Sequence, residues 1–223
     1  GTGGHVYPAF TIAQEYIDLG YKVVWIGTKN GLENKVIDDT SITIEHLSSQ
    51  GIRGKSTFRK IIGLFNFIKS LYESFILIKK YRPSLTIGFG GYVSVSPSLA
   101  SFLLSVPVIV HEQNAIAGTA NRINYFFAKR IYETFPLSFK KNHNKIIHTG
   151  NLVRASFNDV TKPEEKYIEN KACINILVMG GSQGATFLNN TMPFAFSHFH
   201  IDNISIKHIS GPSHADSVID KYK

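Results

Sequence analysis

Short apolar runs alternate with helical patterns along most of this chain. Runs rich in Val, Ile and Leu occur at 21–26, 42–47, 85–89, 106–110, 174–179 and 204–209. Continuous apolar runs are typical of strands buried on both faces, and their alternation with helices predicts an α/β protein with parallel sheets. A first helix is predicted over 7–19, where Phe10, Ala13 and Ile17 share one face. Further helices are predicted over 57–81, 115–129 and 185–198, and a short strand over 130–133.

Three glycine-rich stretches, at 1–4, 88–92 and 180–184, each precede a helical pattern. Without Cβ atoms, such a turn can direct backbone N–H groups and the positive end of the following helix toward one point, which is a typical phosphate or diphosphate site. The dinucleotide-binding spacing is absent, because Val6 and Val93 stand where its third glycine would be. The pattern therefore indicates phosphate-binding loops.

The helix predicted over 57–81 is unusually apolar. Its apolar residues cover about half of the circumference, more than the roughly 100° stripe that one contact with a sheet requires. The apolar arc comprises Phe58, Ile61, Leu64, Phe65, Phe67, Ile68, Leu71, Phe75, Ile76 and Ile78. The polar arc opposite comprises Arg59, Gly63, Asn66, Ser70, Glu73 and Ser74. Either the helix is buried between neighbours, or its outer rim contacts a membrane. Positive charge for an anionic membrane surface is available from Arg53, Lys55, Arg59, Lys60 and Lys69.

Residues 158–171 are polar and charged and contain Pro163, which predicts a linker. We therefore expect one domain over 1–157 and the start of a second over 172–223. The chain opens inside a glycine loop with no apolar run before it, so we expect a first strand ahead of it. The second segment is shorter than a usual doubly wound domain, so we expect that domain to be incomplete here.

Charge and composition narrow the range of partners. The 223 residues carry a formal net charge of +8, which favours an anionic partner such as phosphates or an acidic membrane surface. Basic and aromatic residues do not alternate in the manner of a nucleic-acid-binding face, so nucleic acid is not expected as a partner. No metal-ligand spacing occurs, and neither a metal nor another cofactor is expected. The single cysteine, Cys173, excludes an internal disulfide.

Two further stretches carry candidate chemistry. The polar residues 111–114 follow the apolar run at 106–110, and the carboxyl ends of parallel strands are where open α/β sheets bind ligands. The stretch 180–184 matches the Gly-x-Ser-x-Gly pattern of a nucleophilic serine. A phosphate-binding role for Ser182 is favoured over a nucleophilic one, because the two similar loops lack that serine.

Six motifs in register carry a resemblance to a known family. They are Gly-Thr-Gly-Gly-His at 1–5, Ile-Arg-Gly-Lys at 52–55, Gly-Gly-Tyr-Val-Ser at 90–94, His-Glu-Gln-Asn-Ala-Ile-Ala-Gly at 111–118, Gly-Asn-Leu-Val-Arg at 150–154 and Gly-Gly-Ser-Gln-Gly-Ala at 180–185. In their order and spacing the chain resembles the MurG family, the bacterial transferases that move N-acetylglucosamine from UDP-N-acetylglucosamine onto lipid I to make lipid II for peptidoglycan. Leu152 departs from the family, which usually has proline there.

The resemblance implies a GT-B fold, in which two Rossmann-like domains face each other across a cleft. The first domain would bind lipid I as a peripheral protein on the cytoplasmic side of the inner membrane, and the second would hold most of the nucleotide sugar. The implied donor contacts are Thr2, Gly3, Gly4, Asn114, Arg154 and Ser182. The acceptor diphosphate would lie near Gly90, Gly91 and Tyr92, close to Glu112. The implied reaction inverts the anomeric carbon, forms a β-1,4 bond and uses no metal.

Two residues are candidates for the base that takes the acceptor proton. His5 closes the first glycine loop, and the unperturbed pKa of imidazole lies near working pH. The helix dipole disfavours imidazolium there, whereas a bound phosphate favours it. Glu112 is the alternative base, or it orients the acceptor. A third possibility is that His5 only binds phosphate or loop backbone.

Two alternative functions fit the same motifs. One is a non-catalytic membrane-docking subunit of a split glycosyltransferase, and the other is a related GT-B enzyme with another lipid acceptor. The motif at 111–118 favours lipid I, and the second nucleotide-type segment favours the enzyme. Because most donor contacts of the family would come after residue 223, we expect this chain alone not to turn over substrate.

Overall fold

The computed structural model describes residues 3–37, 41–48, 57–153, 157, 159–165, 173–181, 184–198 and 203–223, with the backbone only for 57–61. The chain divides into two compact units, Gly1–Asn158 and Asp159–Lys223. Both units alternate strands with helices, and every strand pair that is described is parallel. This confirms the predicted α/β class.

Unit 1 (residues 1–158) contains two parallel sheets. Its elements are α1 (Gly3–Asp18), β1 (Val24–Thr28), α2 (Glu33–Val36), β2 (Thr43–Leu47), α3 (Thr57–Tyr81), β3 (Thr86–Gly88), a 3-10 helix (Tyr92–Ser94), α4 (Val95–Leu103), β4 (Val108–Glu112), α5 (Thr119–Asn124), β5 (Arg130–Glu133) and β6 (Ile146–His148). One sheet pairs β1 with β2, and the other has the order β3-β4-β5-β6. Because β4 lies inside the larger sheet, Val108 and Val110 are buried in a core with Ala128, Ile131 and Phe139. The carboxyl end of β4 therefore projects from the best-packed part of the unit.

Unit 2 (residues 159–223) is a smaller set of strands and helices. It contains β7 (Ile174–Met179), α6 (Thr186–Ser197), β8 (Ile204–Ile209) and α7 (Ala215–Tyr222). β7 pairs with β8 in register from Ile174 opposite Ile204 to Met179 opposite Ile209. Both strands have the bounds that the apolar runs predicted, and the third glycine loop joins β7 to α6.

Among the described side chains of α3, the buried face is formed mainly by small residues, and Ile78 is the one member of the apolar arc that is buried there. Ser70 and Ser74 are almost fully buried, and Ser70 Oγ lies 2.7 Å from Ser96 Oγ in α4. Six large side chains of α3 point outward, with exposed fractions of 45% for Ile62, 59% for Leu64, 69% for Phe65, 56% for Ile68, 68% for Tyr72 and 49% for Ile76. Small side chains let two helices approach closely, since the distance between helix axes depends on the residues at the contact. Of the two alternatives, burial between neighbours is therefore wrong for the arc residues Leu64, Phe65, Ile68 and Ile76.

Three further elements differ from the sequence prediction. The helix predicted over 115–129 is reduced to α5, because residues 113–118 form a loop that bonds to a buried carboxylate. The helix α1 begins at Gly3, so Gly3 and Gly4 belong to its first turn. The short helix α2 was not predicted. Among the described residues no helix is long and apolar enough to cross a bilayer.

The orientation of α3 predicts a large loss of stability for one substitution and almost none for another. Ser74→Leu forces a large side chain into the α3–α4 contact and should lower the free energy of unfolding by about 1–3 kcal/mol. Leu64→Ser changes an exposed position and should alter it by less than about 0.5 kcal/mol. Chemical denaturation of both variants of the full chain measures this. A larger loss for Leu64→Ser would show that the apolar arc is core.

Candidate functional site

The candidate site lies at the carboxyl ends of β3 and β4, beside the start of α1. Gly90 and Gly91 follow β3 with φ angles of +88° and +71°, values that favour glycine. A Cβ at Gly90 would lie 3.1 Å from His5 Cδ2 and 3.2 Å from Asn121 Nδ2. The missing side chain of Gly90 therefore lets the first turn of α1 and the helix α5 approach the same loop.

The carboxylate of Glu112, the last residue of β4, is fully buried at this edge. Its Oε1 accepts hydrogen bonds from the backbone N (2.9 Å) and Nδ2 (2.7 Å) of Asn114. Its Oε2 accepts from Gly118 N (3.1 Å) and Asn121 Nδ2 (2.9 Å). A buried charge is stable only when such donors surround it. Since each carboxylate oxygen already accepts two bonds, this arrangement suits a carboxylate that organises the 113–118 loop better than one that accepts a proton.

A second buried carboxylate supports the neighbouring loop. Glu133 stands opposite Glu112 in the register of β4 and β5. It accepts hydrogen bonds from Leu137 N (3.0 Å), Ser138 N (3.1 Å) and Ser138 Oγ (2.7 Å). The carbonyl of Ser138 in turn accepts from Ala117 N at 2.9 Å. The two loops after β4 and β5 are thus held on two carboxylates and joined to each other.

His5 is half-buried in the first turn of α1, next to Gly90. Burial lowers the pKa of His5 below its ordinary 6.5, and the nearby Glu112 acts in the opposite direction and raises it. The amino end of a helix also disfavours a positive charge on the ring. The ring is therefore mainly neutral at neutral pH, which is the form that can accept a proton.

Asn121 is the residue of this site that sequence reasoning missed. It is 1% exposed, and its Nδ2 donates to the carbonyl of His111 (3.0 Å) as well as to Glu112. Its Oδ1 has no hydrogen-bond partner within the described part of the chain. The one signal in the sequence was an asparagine inside a predicted helix. Asparagine is unfavourable in a helix interior, because its side chain competes for hydrogen bonds with backbone groups.

Only some of the predicted site residues lie in the part of the chain that the structure describes. Tyr92 is 51% exposed directly after Gly91, and the side chain of Asn114 is exposed on the loop that Glu112 holds. Gly3 and Gly4 stand in the first turn of α1, near His5 in sequence. The predicted donor contacts Thr2, Arg154 and Ser182 lie outside the described residues.

The third glycine loop belongs to unit 2 and packs on the end of β8. Gly181 and Gly184 have φ angles of +89° and +74°, and a Cβ at Gly184 would collide with the carbonyl of Ser210. Asn189 Nδ2 donates to that carbonyl at 2.9 Å, and His208 Nε2 lies 3.1 Å from Asn189 Oδ1. These contacts hold Gly184 and the first turns of α6 against the end of β8, and the N–H groups of a helix terminus favour an anion.

Comparison with known proteins gives these elements a context. The family model of the glycosyltransferase family 28 N-terminal domain matches residues 1–133. A curated UDP-N-acetylglucosamine--N-acetylmuramyl-(pentapeptide) pyrophosphoryl-undecaprenol N-acetylglucosamine transferase of Haemophilus ducreyi is 37% identical over 100% of this chain and 62% of its own length. The relative of the same name in Neisseria gonorrhoeae is 39% identical over 88% of this chain and 55% of its own. The chain thus spans somewhat more than half the length of these relatives.

Two solved structures are similar along the whole chain. The crystal structure of Acinetobacter baumannii MurG matches with a TM-score of 0.75 and 30% identity, and the match covers 60% of that protein. A glycosyltransferase from Rickettsia africae matches with a TM-score of 0.67 and 15% identity over 61% of its length, a likeness of fold alone. These matches confirm the resemblance that the six motifs indicated and the fold class that it implied.

The four hydrogen bonds that Glu112 accepts predict how its substitution affects stability. Glu112→Gln places an amide where four donors converge, and should lower the free energy of unfolding by about 2 kcal/mol because bonds to a charged group are lost. The amide protons of Asn114 and Gly118 should exchange faster with solvent. Glu15→Gln, at an exposed position of α1, is the matched control and should change neither quantity. Identical behaviour of the two variants would contradict the organising role.

Proposed function

This chain belongs to glycosyltransferase family 28, and on that premise we propose that it takes part in transferring N-acetylglucosamine from UDP-N-acetylglucosamine to lipid I. The product is lipid II, the lipid-linked precursor of peptidoglycan. Unit 1 binds the lipid-linked acceptor, and unit 2 belongs to the part that binds the nucleotide sugar. The observation that carries this proposal is the half-buried His5 next to Gly90 at the edge of a parallel sheet, where burial lowers the pKa of its imidazole.

The proposed chemistry is a single displacement at the anomeric carbon. The 4-hydroxyl of the acceptor sugar attacks that carbon, a new C–O bond forms on the face opposite the departing UDP, and the C–O bond to UDP breaks with its electron pair. The hydroxyl is a poor nucleophile until a base begins to take its proton. His5 accepts that proton. Glu112 positions the 113–118 loop, and with it Asn114, against the substrates.

The acceptor diphosphate binds at the second glycine loop. Gly90 and Gly91 hold the backbone there in the left-handed region, and the first turn of α1 directs its N–H groups and the positive end of its dipole to the same edge. Tyr92 is exposed beside them and can donate its hydroxyl to a phosphate oxygen. The formal net charge of +8 favours two diphosphate ligands and an acidic membrane.

The outward apolar face of α3 is the proposed membrane contact. Its exposed residues form a continuous helical stripe, with Phe65 and Tyr72 more than two-thirds exposed. A large apolar patch on a protein surface usually marks an interaction site. Lys69 is exposed on the same helix, whereas Arg53, Lys55, Arg59 and Lys60 fall where no side chain is described. An acceptor anchored in the membrane requires the enzyme to work at that surface, so we propose a peripheral location on the inner membrane.

His5 should control the rate more than the affinity for the donor. In a transferase that carries this chain with a complete donor-binding domain, His5→Ala should lower kcat by roughly 10²- to 10⁴-fold, the usual contribution of a general base. KM for UDP-N-acetylglucosamine should change little. Because burial lowers the pKa of His5, the acid limb of kcat/KM should lie below pH 6.5 in the parent and vanish in the variant. The value of kcat/KM should fall with falling pH, because protonation charges the imidazole of His5 and it can then no longer act as a base.

The control for this experiment is His143→Ala, which removes an exposed histidine from the same unit. It should leave kcat and the pH profile unchanged. If His5→Ala keeps a normal kcat, or if only donor affinity falls, His5 is a binding residue and the base lies elsewhere.

If α3 is the membrane contact, substitutions in α3 alone should weaken the binding of the chain to vesicles. Replacing Phe65, Ile68 and Tyr72 by serine should weaken binding to vesicles of phosphatidylethanolamine and phosphatidylglycerol by at least about 10²-fold, because each of the three side chains loses apolar burial worth about 1–3 kcal/mol. The matched control replaces three other exposed apolar residues, Leu19, Leu137 and Val160, which are 71%, 61% and 60% exposed. Flotation of both variants with vesicles measures the difference. Equal loss in both, or no binding by the parent chain, would contradict the proposal.

A further inference from the structure

A series of side-chain hydrogen bonds in unit 2 runs from α7 to the end of β8. The hydroxyl of Tyr222 lies 2.9 Å from Nδ1 of His208, and Nε2 of His208 lies 3.1 Å from Oδ1 of Asn189. Nδ2 of Asn189 donates to the carbonyl of Ser210 at 2.9 Å. One imidazole ring therefore joins α7, β8 and the first turn of α6.

The direction of these hydrogen bonds determines the tautomer of His208. A carbonyl can only accept, so the amide nitrogen of Asn189 faces Ser210 and its oxygen faces the imidazole. Nε2 of His208 must then carry the hydrogen and donate to Asn189. Nδ1 accepts from the hydroxyl of Tyr222. Burial lowers the pKa of His208, which favours this neutral form of the ring.

Asn189 depends on His208 for the orientation of its side-chain amide. It is 3% exposed, and its backbone N donates to the carbonyl of Ala185 at 2.8 Å at the start of α6. His208 is the partner that Oδ1 of Asn189 has among the described residues. Loss of that donor would leave a buried acceptor unpaired, which costs more than the loss of an exposed hydrogen bond. His208 thus keeps the amide of Asn189 directed at Ser210.

The carbonyl of Ser210 is also the group against which the third glycine loop packs. A Cβ at Gly184 would collide with this carbonyl, so the backbone of the loop is in direct contact with it. Gly184 N donates to the carbonyl of Gly181 at 3.0 Å and closes the turn ahead of α6. A shift of Ser210 would therefore displace this turn.

We propose that His208 is a positioning residue for the nucleotide sugar: through Asn189 it holds the third glycine loop in the shape that receives the donor diphosphate. This inference rests on the proposed function, in which unit 2 belongs to the part that binds the nucleotide sugar. The N–H groups at the start of α6 suit a phosphate only while the turn ahead of them keeps its place. His208 acts through two other residues and takes no part in the chemical step.

Two substitutions of His208 differ in the ring nitrogen that they imitate. The amide of glutamine reaches the place of Nε2 and can donate to Asn189, whereas the shorter asparagine reaches only the place of Nδ1. In a transferase that carries this chain with a complete donor-binding domain, His208→Asn should raise KM for UDP-N-acetylglucosamine by roughly 10-fold, because a buried acceptor is left unpaired. Since only binding of the donor is affected, kcat and KM for lipid I should stay within about twofold. His208→Gln should restore most of the donor affinity.

The control and a milder variant come from the same unit. His198→Asn removes an exposed histidine at the end of α6 and should leave all three constants unchanged. Tyr222→Phe keeps the imidazole and removes only the hydroxyl that selects its tautomer. It should raise the donor KM by about 2- to 3-fold, the effect of one partly exposed hydrogen bond.

Two measurements on the present chain test the loop without any transfer reaction. Nitrogen NMR of neutral His208 should show the tautomer with hydrogen on Nε2. The amide of Gly184 should exchange with solvent roughly 10-fold faster in His208→Asn, because the turn that it closes is held less firmly. In His208→Gln and His198→Asn it should exchange as in the parent.

The outcomes separate this inference from the proposed function. Absence of transfer by the parent transferase would overturn the proposed function, and the tautomer and the Gly184 exchange then decide the role of His208. Hydrogen on Nδ1, an unchanged donor KM in His208→Asn, an equal rise in His208→Gln, or a fall in kcat alone would overturn the inference. Should His208→Asn fail to fold, an unchanged donor KM in Tyr222→Phe would overturn it.

Discussion

The site depends on a buried carboxylate at the end of β4. Glu112 has no exposed surface, so its charge is stable only because four donors reach it. Those donors come from the 113–118 loop and from Asn121, and they determine where that loop runs and where α5 begins. Gly90 then completes the arrangement, because its lack of a side chain lets His5 and Asn121 approach the second glycine loop. The charge of Glu112 and the missing side chain of Gly90 thus determine how the end of β4, the 113–118 loop, α1 and α5 come together.

The regular elements could be predicted from the sequence, because periodicity reports burial. The bounds of α3, β5, β7 and β8 agree residue for residue with the apolar patterns. The apolar pattern gave a wrong prediction where hydrogen bonds to a buried polar group determine the structure. Residues 115–117 have helical spacing, but in their loop Gly118 N donates to Glu112 and Ala117 N donates to the carbonyl of Ser138. These hydrogen bonds leave no periodic pattern in the sequence.

The face of α3 could not be predicted for a different reason. Hydrophobicity scales treat Ser70 and Ser74 as polar, and a helix usually buries its apolar side. Here the serines are buried because they are small, satisfy their hydroxyls within the helix pair, and let α3 lie close to α4. Most of the apolar side faces out, as the proposed membrane contact requires. The candidate site could likewise be predicted only in part: His5 and Glu112 were found by residue type and position, whereas Asn121 is defined only by its contacts.

In the proposed mechanism His5 is a neutral base whose charge state responds to Glu112. It is tested most directly by measuring the pKa of His5 itself, by NMR titration of the imidazole in the parent chain and in Glu112→Gln. Burial lowers this pKa and the charge of Glu112 raises it. We therefore expect a pKa of His5 below 6.5 in the parent chain and a still lower pKa in Glu112→Gln. A pKa at or above 6.5 in the parent, or the same value in both proteins, would contradict it.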